Sequence, residues 1–262
     1  MATSSIGFND GEGYEHYMGV WSQLAGETFL GWLAPATSLR WLDVGCGNGA
    51  FTEMLVDRCE PASVEGVDPS QEQLVYARTR PALHAAWFQL GDAMALPYAN
   101  DSFDAAVMPL VIFFVPEPAR GVAEMARVVR AGGSVSAYAW DMPGGGFPYA
   151  KLLAELRGMG VAVPTQPSPD ASRLEVMREL WAGAGLEDID TLRFTVERTF
   201  ADFDEYWATI QRGPRVSSSL TAMPAADREK LKERMREHLP PDAAGRITYG
   251  AQAHAIKGRV PG

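Results

Sequence analysis

The apolar positions of this chain switch between two rhythms, short continuous runs and a helical spacing, and each switch marks a change of element. Tyr14, Tyr17, Met18 and Trp21 stand at i, i+3, i+4 and i+7, and Phe29, Trp32 and Leu33 continue that face, which predicts a helix over 12–33. Arg40–Val44 is a short apolar run ending in Gly-Cys-Gly-Asn-Gly, and a helical pattern through Phe51, Met54 and Leu55 follows it. That is strand, glycine loop, helix. Val64–Val67 is a second strand, ending at Asp68-Pro69; Ser70 and Gln73 then form a capping box that opens a helix, with Pro81 beyond its end. Trp87–Leu90 is a third strand ending at Gly91-Asp92, and Phe103–Met108 a fourth, whose apolar run continues through Val115. Pro118–Arg130 places Val122, Met125, Ala126 and Val129 on one face, Gly132-Gly133 stops it, and Ser134–Trp140 is a fifth strand.

Strands alternating with helices in this way predict an α/β fold with a doubly wound, parallel sheet. After Asp141 the texture changes. Residues 143–169 hold five prolines and five glycines around a helical stretch at Lys151–Met159, an excursion over the ligand face rather than a separate domain. Leu174, Met177 and Trp181 mark a helix stopped at Gly185, and Ile189–Phe200 is a sixth strand. Asp202 to Glu205 opens an aromatic helix with Phe203, Tyr206, Trp207 and Ile210. Residues 225–238 carry five basic and four acidic side chains, which predicts a solvated helix face. Arg246–Val260 closes the pattern as a last strand.

Composition narrows the partners. The 262 residues carry a formal charge of −10, which works against phosphate backbones and anionic lipid, so neither nucleic acid nor a membrane surface is expected as partner. No apolar run approaches the ~18 residues of a spanning helix, and the first residues, Met-Ala-Thr-Ser-Ser-Ile-Gly, have neither a basic nor an apolar leader segment. Cys46 and Cys59 match no zinc spacing, so no metal is expected, and two thiols in a chain this long suit a reducing, cytoplasmic setting.

The chemistry concentrates at strand tips. In Asp43-Val-Gly45-Cys46-Gly47-Asn-Gly49 the glycines let a ligand approach the backbone at a helix N-terminus. Gly45-x-Gly47-x-x-Ala50 also fits a dinucleotide fingerprint, so a nicotinamide-dependent oxidoreductase is an alternative. Asp43 separates the two, because a carboxylate there repels a pyrophosphate and attracts an ammonium group. Asp68, at the tip of the second strand, can accept hydrogen bonds from both hydroxyls of a ribose. The alternative is a helix N-terminal charge or a loop cap, and its place at a strand tip predicts that the fold survives its replacement by Ala. Asp92 ends the third strand. Together the three acids describe a ligand with an ammonium group, a ribose and an adenine.

The chain resembles the class I S-adenosylmethionine-dependent methyltransferases, and within them the methyltransferase type 11 or ubiquinone/menaquinone-biosynthesis-like group. The match runs through Trp41-Leu-Asp-Val-Gly-Cys-Gly-Asn-Gly49, Gly66-Val-Asp-Pro-Ser70, Gly91-Asp-Ala-Met-Ala-Leu-Pro97, Asp101-Ser-Phe-Asp104 and Arg127-Val-Val-Arg-Ala-Gly-Gly133, in the family's order. The segments Tyr17-Met-Gly-Val-Trp-Ser22 and 245–261 look like parts of one subgroup. The resemblance implies a seven-stranded, mostly parallel sheet of order 3-2-1-4-5-7-6, with helices on both faces and helical lid segments. It also implies a single domain over 1–262: a helical cover at 1–36, a cofactor core at 37–141, lid insertions at 142–170 and 201–245, and a last strand at 246–260.

Roles follow from the same resemblance. The loop Gly45, Cys46, Gly47 and Gly49 would cradle the methionine part of S-adenosylmethionine, with Asp43 near its ammonium. Asp68 and Pro69 would meet the ribose, Asp92 and Ala93 the adenine, and Met108 and Pro109 the methionine moiety. Two positions depart from the family. Val20 stands where the subgroup carries Arg, and Phe113-Phe114 stands where many relatives carry a His pair. An apolar pair cannot relay protons, so no catalytic residue is assigned. The Asn/Asp-Pro-Pro-Tyr/Phe signature of enzymes that methylate exocyclic or amide nitrogen is absent after the fourth strand, which argues against nucleic-acid amines, and His16, His84, His238 and His254 are scattered. The expectation is methyl transfer to a small-molecule acceptor, with a cofactor-binding protein lacking catalysis as a further alternative. Tyr14, Tyr17, Trp21, Phe113, Tyr206 and Trp207 are the candidates for covering a planar acceptor, although each stripe is also what an ordinary core helix shows.

Overall fold

The computed structural model describes residues 15–262. The strands are β1 Arg40–Val44, β2 Ser63–Asp68, β3 Trp87–Leu90, β4 Phe103–Pro109, β5 Val129–Trp140, β6 Glu187–Phe200 and β7 Ile247–Arg259. They form one sheet in the order β3-β2-β1-β4-β5-β7-β6, as expected from the sequence. Only β7 pairs antiparallel to its neighbours. The central strands are buried on both faces, every residue of β1 after Arg40 and nearly all of β4, which is why they read as continuous apolar runs.

Helices cover both faces. On one side lie α1 Val20–Leu33 and α2 Ala50–Cys59. Phe29 of α1 stacks on Tyr138 of β5 at 4.7 Å, and Phe51 of α2 tilts against the same ring. A short α3 Gln71–Ala77 follows β2, and its Ser70 cap accepts a hydrogen bond from the Gln73 amide, as the capping box predicts. On the other face lie α4 Pro118–Val128 and α6 Leu174–Gly183, where the buried Trp181 donates its indole N–H to the Val135 carbonyl. The remaining helices, α5 Ala150–Gly158, α7 Phe203–Gln211, α8 Pro214–Ala222 and α9 Ala225–His238, belong to the two insertions. Asp202 and Glu205 cap the start of α7 reciprocally: Asp202 accepts from the Glu205 amide, and Glu205 accepts from the Ala201 amide.

The structure departs from the pattern reading in four places. The first helix, as far as it is described, begins with a π-helical turn at Glu15–Gly19 before α1. α4 ends at Val128 and β5 begins at Val129, so Gly132-Gly133 is not a helix stop but a kink inside a strand. Gly132 takes a φ of 72° and donates its amide to the Val260 carbonyl, the Val260 amide donates to the Gly133 carbonyl, and a Cβ on Gly133 would stand 2.6 Å from the Asp104 carbonyl oxygen. Helix α8 was missing from the pattern, because its apolar stripe is only Val216, Leu220 and Met223, set among serines. Finally, α9 is not simply a solvated face. It buries Leu231 and Met235, and its charges fasten it at two places. Glu155 of α5 holds Arg234 and His238, each at 2.9 Å, while Asp204 of α7 holds Lys232 and Arg236 at 3.5 and 3.6 Å.

One pairing locates the upper rim of the site. Trp140, the last residue of β5, pairs with Ala253 of β7, which pairs with Phe194 of β6. Beyond that level 195–200 continues to pair with 247–252, so β6 and β7 rise above the sheet as a two-stranded ribbon.

At the opposite rim, Asp104 ties three strands together. Its carboxylate accepts from the Arg40 amide and guanidinium of β1 at 2.8 and 3.0 Å and from Arg130 of β5 at 2.5 Å. The Arg40 guanidinium foremost holds this carboxyl well below the usual range. A depressed carboxyl contributes its stability above its unfolded pKa and loses it as pH falls through the folded one. Both arginines are about half exposed, so screening limits the gain. Asp104→Asn should cost about 1–2 kcal/mol in urea unfolding at pH 7, and the gap from wild type should narrow as the pH falls below about 4.

Candidate active site

β1 delivers the glycine loop to the carboxyl rim of the sheet, and β2 fastens it there. The amides of Gly45 and Cys46 both donate to the Val67 carbonyl, and the Gly47 amide donates to Asp68 at 2.9 Å. Gly45, Gly47 and Gly49 all take positive φ, of 76°, 51° and 81°. Only Gly47 faces clear space. A Cβ on Gly45 would strike Val111 and one on Gly49 would strike Leu83, so these two glycines let protein approach the loop, whereas Gly47 leaves it open to a ligand. The Cys46 thiol points toward Gly66 of β2 and burial pushes its pKa up, so this residue offers the site only its backbone. Arg80 braces the loop from below, donating from Nε to the Asn48 carbonyl and from Nη1 to Glu53 of α2.

The three acids differ in their surroundings. Asp43 has no exposed surface. It accepts a 2.7 Å hydrogen bond from Thr52 on Oδ2, while Oδ1 is buried with no hydrogen-bond partner. Burial outweighs the Thr52 bond and raises its carboxyl pKa to about 7. Asp68 accepts from the Gly47 amide on one oxygen and from the Ser70 amide on the other. It therefore holds the loop and the start of α3 together, as a loop cap does. Each oxygen keeps a further lone pair. Asp92 is exposed and caps its own turn by accepting from the Met94 amide, with Ala93 half-buried beside it. Pro69 is exposed at the β2 tip. Met108 and Pro109 are buried at the β4 tip, and the Met108 methyl would lie 3.8 Å from a Cβ on Gly121 of α4.

The aromatic candidates separate into groups. Tyr17 stacks on Tyr149 at 4.2 Å, and the Tyr149 hydroxyl donates to the Tyr17 carbonyl. Trp21 packs on Tyr249 of β7 at 5.0 Å, and Tyr249 in turn meets Phe200 and Tyr206, each at 6.0 Å. Tyr17, Trp21 and Tyr206 thus join one assembly against the β6–β7 ribbon. Trp207 does not: it stacks on Phe203 and faces Lys232 of α9. Phe113 pairs with Phe114 after β4, and its carbonyl accepts from the Ser168 amide. Tyr14 lies outside the described residues.

The pattern reading passed over three members of this assembly, Tyr149, Tyr249 and Arg198. The guanidinium of Arg198 lies 4.4 Å from the Phe200 ring. A signal for it existed. Phe194, Val196 and Phe200 alternate on one face of β6, and Arg198 falls in step with them, a charge at an inward position.

Comparisons with known proteins agree with this geometry. Residues 42–137, the part of the chain that forms the central sheet, are similar to the family described as a methyltransferase domain. Over 95 residues the chain is 42% identical to a chloroplastic 2-methyl-6-phytyl-1,4-hydroquinone methyltransferase of Oryza sativa, covering 36% of this chain and 27% of that protein. Over 109 residues it is 38% identical to the ubiquinone/menaquinone biosynthesis C-methyltransferase UbiE of Paracoccus denitrificans, covering 40% and 43%. The first curated relatives are spanned over about half of their length or less. Phosphoethanolamine N-methyltransferase 2 of Haemonchus contortus, solved with S-adenosyl-L-methionine, shares the fold with a TM-score of 0.59 at 17% identity, over 95% of this chain and 56% of that one.

Asp43 makes the ligand-free site pH-dependent. A carboxyl raised on folding ionises first in the unfolded chain, so its penalty on the folded state grows from about pH 4 to about pH 7 and stays above it. Asp43→Asn keeps an acceptor for Thr52 without the charge. In urea unfolding at pH 8 it should stabilise the ligand-free protein by roughly 2–4 kcal/mol, with the gain shrinking toward pH 5.

Proposed function

We propose that this protein is an S-adenosylmethionine-dependent methyltransferase acting on a small planar acceptor. The observation that carries this reading is the open backbone at Gly47, set beside the Asp68 carboxylate and above the unpartnered Asp43 oxygen. Gly47 and its neighbours would receive the methionine part of the cofactor. Asp68 would accept from the ribose hydroxyls with the lone pairs its backbone bonds leave free. Asp92 and Ala93 would border the adenine, and Met108 and Pro109 the base of the site. Because Asp43 is enclosed beneath the loop, it would act on a cofactor ammonium through its field rather than by contact. When bound, the cofactor supplies a methyl group already activated on a sulfonium.

The protein's remaining task is to align the acceptor and exclude water. In-line alignment alone can lower the barrier by ~7–11 kcal/mol. Tyr17, Trp21, Tyr149 and Tyr206 form an apolar wall suited to a flat ring. The names of the quinol-type relatives fit a ring acceptor of that kind. No base is assigned. His254 is held by the Ser172 carbonyl and Arg193, His238 by Glu155, and His84 lies against the Pro81 carbonyl.

Calorimetry separates this reading from its alternatives. Micromolar binding of S-adenosylhomocysteine with far weaker binding of NAD is expected, and the reverse order would favour an oxidoreductase. Turnover with labelled cofactor across ring acceptors separates an enzyme from a non-catalytic binder. Asp68→Ala should weaken S-adenosylhomocysteine about ten- to a hundredfold and also lower the melting temperature of the ligand-free protein, since the loop loses its tether. The 2′-deoxy analogue isolates the ribose contact: it should bind more weakly than S-adenosylhomocysteine to wild type and equally to Asp68→Ala.

A further inference from the structure

The assembly against the β6–β7 ribbon is aromatic except for one charge. Along β6, Phe194, Val196, Arg198 and Phe200 share a face, and opposite them on β7 stand Ala253, Ala251, Tyr249 and Ile247. The same face continues across Ala255 to Tyr138, on whose ring Phe29 of α1 stacks. Arg198 therefore points to the side that α1 covers. It stands four residues beyond the level of Trp140, on the ribbon that rises past the end of β5.

Its surroundings do not satisfy it. Nη1 of Arg198 is buried with no hydrogen-bond partner, and so is the hydroxyl of Tyr249, its paired residue on β7. Among the described residues no carboxylate pairs with Arg198; its guanidinium meets only the Phe200 ring. Burial raises the phenols of Tyr149 and Tyr249, while the Arg198 charge pulls both the other way, so one cation faces both hydroxyls. A guanidinium N–H buried without a partner calls for an oxygen to receive it. Among the described residues none receives Nη1.

Resting on the methyltransferase reading, we propose that Arg198 Nη1 and the Tyr249 hydroxyl anchor an anionic oxygen, of carboxylate type, at the end of the acceptor remote from its attacking atom. The acceptor is then a flat molecule with an acid group, its ring against Tyr17, Trp21 and Tyr206 and its acid on β6. A second source of a carboxylate is the amino-acid end of the cofactor. The height of Arg198 above the end of β5 favours the acceptor, and the test separates the two. Such an anchor binds ground and transition states alike, so its loss raises KM more than it lowers kcat.

The probes are 2-naphthoate and its neutral isostere 2-naphthamide, titrated calorimetrically into the protein with and without saturating S-adenosylhomocysteine. Naphthoate should bind at least about tenfold tighter than naphthamide to wild type. That preference should vanish in Arg198→Met and shrink severalfold in Tyr249→Phe, with thermal melts confirming that each variant is folded. Should Arg198→Met fail to fold, the comparison of the two probes on wild type and on Tyr249→Phe decides alone. Equal affinity for both probes, or no naphthoate binding, overturns the anchor. So does an Arg198→Met protein that keeps its preference for naphthoate, or one that loses S-adenosylhomocysteine affinity tenfold, since the guanidinium would then serve the cofactor. Failure of S-adenosylhomocysteine to bind wild type would count against the methyltransferase reading, and the titrations without it would still test Arg198.

Discussion

One carboxylate organises the cofactor side of this protein. Asp68 sits at the end of β2 and spends an oxygen on each of two backbone amides, Gly47 in the preceding loop and Ser70 at the start of α3. A glycine loop with three positive φ values has many conformations open to it when free. The charge at Asp68 selects one of them and at the same time turns the chain into the next helix. The Val67 carbonyl, one residue earlier, takes the Gly45 and Cys46 amides. Two adjacent residues of β2 thus hold Gly45, Cys46 and Gly47, the first half of the loop that follows β1.

The core elements were legible because their signals are local. Continuous apolar runs gave the buried parallel strands, and the Ser70 and Asp202 caps marked helix starts that the structure keeps. What escaped depends on partners far along the chain. Gly132-Gly133 reads as a stop until Val260 is known to lie across from it. Helix α8 has only Val216, Leu220 and Met223 among its serines, a stripe whose meaning shows once the three are seen buried.

The site was legible to a different depth. Asp43, the glycines and Asp68 were all found from their place at strand ends, yet the sequence says nothing of which glycine faces a ligand and which faces Leu83 or Val111. Nor does it tell that Asp43 is sealed from solvent. On the lid side, helical spacing singled out Tyr206 and Trp207 together, and consecutive residues on a helix diverge by about 100°. Tyr206 therefore turns to Phe200 and Tyr249 while Trp207 turns to Phe203 and Lys232.

Helix α9 touches neither the glycine loop nor the aromatic wall in any contact described above, yet it links the two insertions that build the wall. Its fastening to α5 uses Glu155, whose side chain is 20% exposed; its fastening to α7 uses Asp204, which is 77% exposed. Tyr149 immediately precedes α5 and Tyr206 belongs to α7, so the helix acts as a yoke between the two rings. The more exposed fastening, at Asp204, is the one that added salt screens first, so the hold on Tyr206 depends on ionic strength more than the hold on Tyr149 does.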